Sequence, residues 1–147
     1  MADLDDIVGV QQADDEIAIR SLIARLHDAW ARGDSKAYAA CFTVNSDYIT
    51  FNGIHLHGRA ENAELHGALF RGVLKGTGLS AEVEGLELLS REVALVHTAD
   101  QRKKSYQTYV LVKNEADWLI RSFQNTRVQR LIISAWITRW LQKRAPN

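Results

Sequence analysis

The hydrophobic period of this chain changes partway along, and that change limits the fold more than any other feature. Residues 14–32 and 59–75 carry apolar side chains at helical spacing, whereas from Leu79 to Thr126 apolar and polar residues alternate as in half-buried strands. Helices segregated in sequence from a run of strands imply an α+β architecture.

In residues 14–32, Leu22, Ile23, Leu26 and Trp30 share one side with Ile19, and Asp14, Asp15 and Glu16 occupy a first turn where the helix dipole favours anions. Gly33 suits the end of that helix, and Asp34 the N-cap of a shorter one over Ser35–Phe42, with Tyr38 and Phe42 on its buried face. Asp47–Phe51 reads as a strand, Asn52-Gly53 as a tight hairpin turn, and Ile54–His57 as the return strand. The stripe of the third helix is Ala63, His66, Leu69, Phe70, Val73 and Leu74, and Lys75-Gly76 suits its end. Short connections between the later strands, including Asn114-Glu115-Ala116-Asp117, predict an antiparallel meander.

Residues 1–13 lack sustained periodicity and read as a loose or locally docked arm before a domain spanning 14–128. In the extension 129–147, Ile132, Ile133, Trp136, Ile137, Trp140 and Leu141 form an apolar helical stripe, with Arg130, Arg139, Lys143 and Arg144 on the other sides. Such a stripe has to be covered. Self-packing, a second subunit and a membrane surface are the options, and a homodimer is the first expectation.

Composition removes several classes. Eighteen basic and eighteen acidic residues cancel, which argues against nucleic-acid binding through a strong positive field. One Cys cannot form an internal disulfide. The N-terminal MADLDDIVGVQQADDE has no apolar core of the secretory kind, and no apolar run approaches a membrane span, so a cytoplasmic location is expected. Gly76-Thr77-Gly78-Leu79-Ser80-Ala81 matches G-x-G-x-x-A but follows a helix and enters a strand, the reverse of the dinucleotide context. No P-loop, H-E-x-x-H or G-x-S-x-G occurs, and no cofactor is implied.

Three segments, AIRSLIARLHDAWARGDSKAYAACF, DYITFNGIHLHGRAENAELHGALFRGVLKG and WLIRSFQNTRV, together resemble the nuclear transport factor two-like superfamily, more narrowly its SnoaL-like group and the SgcJ/EcaC family. Trp30, Gly33-Asp34, Asp47-Tyr48, Gly58-Arg59, His66, Phe70, Gly76 and Asn125-Thr126-Arg127 carry the likeness. It implies a cone-shaped, curved antiparallel sheet packed with three helices around a pocket, commonly dimeric through the sheet's outer face. It also implies chemistry on an apolar or polycyclic organic molecule, as in secondary metabolism. The fold hosts isomerases, cyclases, dehydratases, hydrolases and non-catalytic binding domains, so the reaction does not follow from it. Two departures matter. Gln124 stands where the family often has His, and Gln does not titrate near neutrality. Thr50 stands where related steroid isomerases place their Asp base.

Strand alternation sorts the candidate site residues. His97 is grouped with Val93 and Leu95, Gln107 with Tyr109 and Leu111, and Gln124 with Trp118 and Ile120, as pocket faces. Trp30, His66 and Phe70 face the same way from the helices, and Tyr48 joins them from the hairpin. His66 and His97 are the proton-transfer candidates, each alternatively a satisfied structural histidine. Asp47 is a candidate catalytic carboxylate, or an acceptor for loop amides. Trp30, Tyr48, Phe70, Gln107, Tyr109 and Gln124 are the expected ligand contacts. Arg59 could pair with Asp47 or reach an anion, or sit exposed on a first helical turn. Cys41 reads as a small buried thiol rather than a nucleophile. His55 and His57, two apart on a strand, face the same way, but with no third ligand nearby in sequence no metal is expected. The two competing functions are an acid/base enzyme and a non-catalytic binding or dimerisation domain.

Overall fold

The computed structural model of the chain describes residues 4–115, 117–129 and 132–143. The first three residues of the expected arm, Ala116, Arg130 and Arg144 lie outside them. The elements run α1 (Leu4–Ala31), α2 (Ser35–Ala40), β1 (Phe42–Ile49), β2 (His55–His57), α3 (Gly58–Arg71), β3 (Ala81–Leu88), β4 (Val93–Asp100), β5 (Ser105–Asn114), β6 (Asp117–Arg127) and α4 (Ile132–Gln142). This is the expected α+β architecture. The six strands form one sheet in the order β2-β1-β6-β5-β4-β3.

The expectation of an antiparallel sheet needs one correction. The meander from β3 to β6 is antiparallel, but β1 lies parallel to β6, pairing Tyr48 with Phe123 and Ile49 with Gln124. The sheet is therefore mixed. Pairing also moves an element boundary. Cys41 O accepts from Ile120 N at 2.9 Å, so the chain leaves α2 at Ala40 and Phe42 opens β1 instead of closing the helix.

The expected arm is helical and continuous with the first helix, because α1 begins at Leu4. Ile7, Gln11 and Asp15 fall at i, i+4 and i+8 on one side of it, and all three line a groove with Leu88 and Lys113. A long-range partner thus stabilises a segment whose own period is weak.

Each turn uses the residue its backbone needs. Asp34 caps α2 through a bond from Ala37 N at 2.9 Å. Gly58 has φ +86°, and a Cβ there would meet Val44 O at 2.9 Å, so only glycine passes from β2 into α3 without strain. Arg59 donates from Nε to Phe42 O at 2.8 Å, which ties α3 to β1, and it is Arg121 that pairs with Asp47.

The helices α1, α2 and α3 cover the concave face of the sheet. Ile19, Leu22, Leu26, Tyr38, Phe42, Leu111 and Ile120 are buried between them. Cys41 is part of this core, and burial pushes its thiol pKa up. On α4, Trp136, Ile137, Trp140 and Leu141 are exposed. No helix among the described residues is long and apolar enough to cross a membrane.

Candidate functional site

A cavity of about 220 Å³ opens between α1, the residues 78–81 and the concave sheet face. Trp30, Tyr48, Gln107 and Tyr109 line it, in agreement with where alternation and helical spacing put them. Tyr38, Asp100, Phe123 and Asn125 line it too, as does His27 from α1.

The other candidates lie elsewhere. His97 is exposed on the outer face, where Thr108 Oγ1 bonds its Nδ1 at 3.2 Å. The inward residues of β4 are the small Ala94, Val96 and Thr98 instead of the larger Val93 and Leu95. The period of β4 was legible, but its face was not.

Gln124 is exposed for a different reason. Val110 pairs with Ser122 and Leu111 with Ile120, so Arg121 is an extra residue in β6. Such a bulge reverses the parity of everything after it. Trp118 and Ile120 point inward before it, Phe123 and Asn125 after it, and Gln124 is turned out.

Phe70 is buried behind Trp30, with ring centroids 5.1 Å apart, and does not line the cavity. Asp47 points away from it, bonded to Arg121 and His55 on the outer side of the β1–β2 hairpin. Thr50 is a hairpin turn residue that accepts from Ile54 N at 3.0 Å, far from proton-transfer duty.

His66 stands behind the cavity wall, 2% exposed. Its Nδ1 lies 3.0 Å from Asn62 O, which can only accept, so Nδ1 carries the proton and Nε2 is left as an acceptor. Tyr48 then donates to His66 Nε2 at 3.4 Å, and Tyr38 donates to the Tyr48 oxygen at 3.1 Å. This chain positions the Tyr48 ring; it gives His66 no direct access to a ligand.

A second network runs along the sheet. Thr98 Oγ1 donates to Gln107 Oε1 at 2.6 Å, and Gln107 Nε2 donates to Asn125 Oδ1 and Ser105 Oγ, each at 3.1 Å. Gln107 is thereby held side-on in the wall. Asp100 sits at the rim; backbone bonds from Ser105 and Lys104 hold its pKa down.

His27 escaped the sequence reading, although Ile23, His27 and Trp30 lie at i, i+4 and i+7 on the buried stripe. His27 lines the cavity, and its Nε2 is buried and makes no hydrogen bond among the described residues. Buried polar atoms nearly always find a partner, so an unpartnered one beside a cavity calls for an explanation. Burial lowers the pKa of His27 and keeps the ring neutral near pH 7. Burial likewise raises the phenol of Tyr109 to about 12, and those of Tyr38 and Tyr48 further. Apart from the Asp100 carboxylate at its rim, the cavity thus presents neutral donors and acceptors set in aromatic walls.

These shifts have a consequence for stability. His27 and His66 both have lowered pKa values, chiefly through burial. The folded protein therefore binds fewer protons than the unfolded chain below the ordinary value of about 6.5. Their contribution is full above that pH and is lost as pH falls through it. Thermal melts should show Tm dropping between pH 7 and pH 5, with a smaller drop in His66→Phe. An unchanged slope in that variant would remove His66 from the account.

No family model matches the chain, and no curated protein matches it. Solved structures do. A domain of unknown function with a cystatin-like fold from Nostoc punctiforme is 32% identical, covering 87% of this chain and 86% of that one, with a TM-score of 0.73. An NTF2-like protein with a cystatin-like fold from Novosphingobium aromaticivorans is 19% identical, covering 93% and 97%, with a TM-score of 0.68. A ketosteroid isomerase-like protein from Erwinia carotovora is 16% identical, covering 77% and 95%, with a TM-score of 0.65.

Proposed function

This chain belongs to the family of cystatin-like-fold domains represented by the Nostoc punctiforme protein, within the NTF2-like fold, and we propose that it is a small-molecule pocket protein whose ligand hydrogen-bonds to His27. The SgcJ/EcaC group is the finer placement within that fold, supported by the three segments quoted above.

The observation that carries the reading is His27, which lines the cavity and whose buried Nε2 has no hydrogen-bond partner among the described residues. A cavity of about 220 Å³ lies below the roughly 300–1,000 Å³ of drug-sized sites. A compact ligand of one or two rings fits that volume. Trp30, Tyr109 and Phe123 would stack on it, while Asn125 and Tyr48 would orient a carbonyl or hydroxyl. As a neutral imidazole, His27 accepts a hydrogen bond from such a ligand, the arrangement from which general-base proton transfer would start. Steroid-type isomerisation is not proposed, because Thr50 lies in the hairpin turn.

Ligand-observed NMR against a panel of compact phenols and enones tests this. Binders should be retained by His97→Gln and weakened at least tenfold by His27→Leu, about the worth of one lost bond to a buried group. A panel without binders, or binders indifferent to His27→Leu, would overturn the reading. Exposed Trp136, Ile137 and Leu141 on α4, and Tyr106 on the outer sheet face, favour a homodimer as the assembled form. Light scattering on the same sample reads its mass, and a monomer mass would sink the pairing.

A further inference from the structure

The outer side of the β1–β2 hairpin carries a cluster that the pocket does not use. Antiparallel pairing sets Asp47 opposite His57 and Ile49 opposite His55. His55 and His57 lie two apart and share a face, so the Asp47 carboxylate stands beside both rings. His55 Nε2 is 3.0 Å from Asp47 Oδ1, and His57 Nδ1 is 4.0 Å from the same oxygen. The two rings lie 4.0 Å apart between centroids. All three ligand atoms fall within 4.8 Å of one another.

We propose that Asp47 Oδ1, His55 Nε2 and His57 Nδ1 bind a divalent first-row transition metal of the zinc type. Ligand atoms around tetrahedral zinc, with bonds of about 2.0–2.1 Å, stand roughly 3.3 Å apart. The observed separations bracket that spacing, so small side-chain rotations close the site. Two imidazoles and one carboxylate suit zinc, cobalt or nickel, whereas magnesium and calcium take oxygen donors.

Two contacts prepare the ligands. Arg121 Nη1 holds Asp47 Oδ2 at 2.8 Å, which fixes the carboxylate and directs Oδ1 toward the imidazoles. Glu61 Oε2 accepts from His57 N at 2.7 Å and anchors the end of β2. The side chains of Asp47, His55 and His57 remain 39%, 41% and 67% exposed, so a fourth position faces water. Three protein ligands with an open position are the pattern of a reactive rather than a purely structural zinc site. The Arg121 cation nearby offsets the carboxylate charge and keeps affinity moderate. Tyr48, between these groups in sequence, lines the cavity on the opposite side of the sheet, so this site stands apart from the pocket.

Titrating the tag-free chain with Co²⁺ tests the proposal, followed visibly by d–d absorption and by displacement with Zn²⁺. One ion per chain should bind, with the intense bands of a four- or five-coordinate site. His57→Gln and Asp47→Asn should each weaken binding at least tenfold, while His97→Gln should leave it unchanged. All three positions are exposed, and matching melting curves would show that the variants fold. A pale six-coordinate spectrum at excess protein, or binding that survives in both His55→Gln and His57→Gln, would overturn it.

Discussion

Replacing Tyr38 with alanine is expected to destabilise the fold by about 3–5 kcal/mol, the cost of emptying a large aromatic site in a packed core. Tyr38 is 1% exposed and touches the rings of Trp30, Phe42, His66 and Phe70. For a chain of this length the melting temperature should fall by roughly 10–15 °C. Tyr38→Phe keeps the ring and removes only the hydroxyl that donates to Tyr48 at 3.1 Å, so about 1 kcal/mol is expected. Denaturant unfolding of both variants separates packing from hydrogen bonding. Equal losses would mean that the phenol network, not the ring, holds α2 against the sheet. Because Tyr38 lines the cavity, the alanine variant should also enlarge it and admit bulkier ligands.

Much of this arrangement could be read from the chain, and the places where reading failed share one cause. Helical stripes, the Asn52-Gly53 hairpin and the strand meander depend on near neighbours in sequence, and they follow from local period. Failures came where a distant partner decides. Arg121 is an ordinary residue in an alternating strand until pairing with β5 makes it a bulge, and that single extra residue exchanges Gln124 for Asn125 in the cavity wall. β4 has apolar residues on both faces, so alternation alone could not say that His97 points out. Parallel pairing of β1 with β6 joins strands more than seventy residues apart. His27 lies on the stripe of Leu22, Ile23, Leu26 and Trp30, and only the distant sheet residues that enclose the cavity give it a place in the site. The Asp47 carboxylate reaches His55 and His57 only across the hairpin, which explains why no third ligand was found by scanning beside them.

The same logic gives Asp15 a role that the sequence hid. At the expected helix start it looked like a first-turn acid serving the helix dipole, an effect of about 0.3–1 kcal/mol. In the folded chain it lies well inside α1, 6% exposed, and accepts from Lys113 Nζ at 2.7 Å and Trp118 Nε1 at 3.0 Å. Burial pushes its pKa up, but these two donors outweigh burial and leave the carboxyl below its ordinary value. Asp15→Ala should therefore cost about 3 kcal/mol, the low end for breaking a buried pair, since Lys113 keeps some access to water. Asp15→Asn, which preserves an acceptor for Trp118, should cost less. The carboxylate's contribution is present above an ordinary pKa of about 3.8 and lost as pH falls through the depressed folded value. The alanine variant should accordingly lose that acid-side dependence along with its stability. Hydrogen exchange should then show the first three turns of α1 losing protection before the rest of the helix, because Asp15 ties them to β5 and β6. Protection lost evenly along α1 would instead mean that Ile7, Gln11 and their neighbours dock without it.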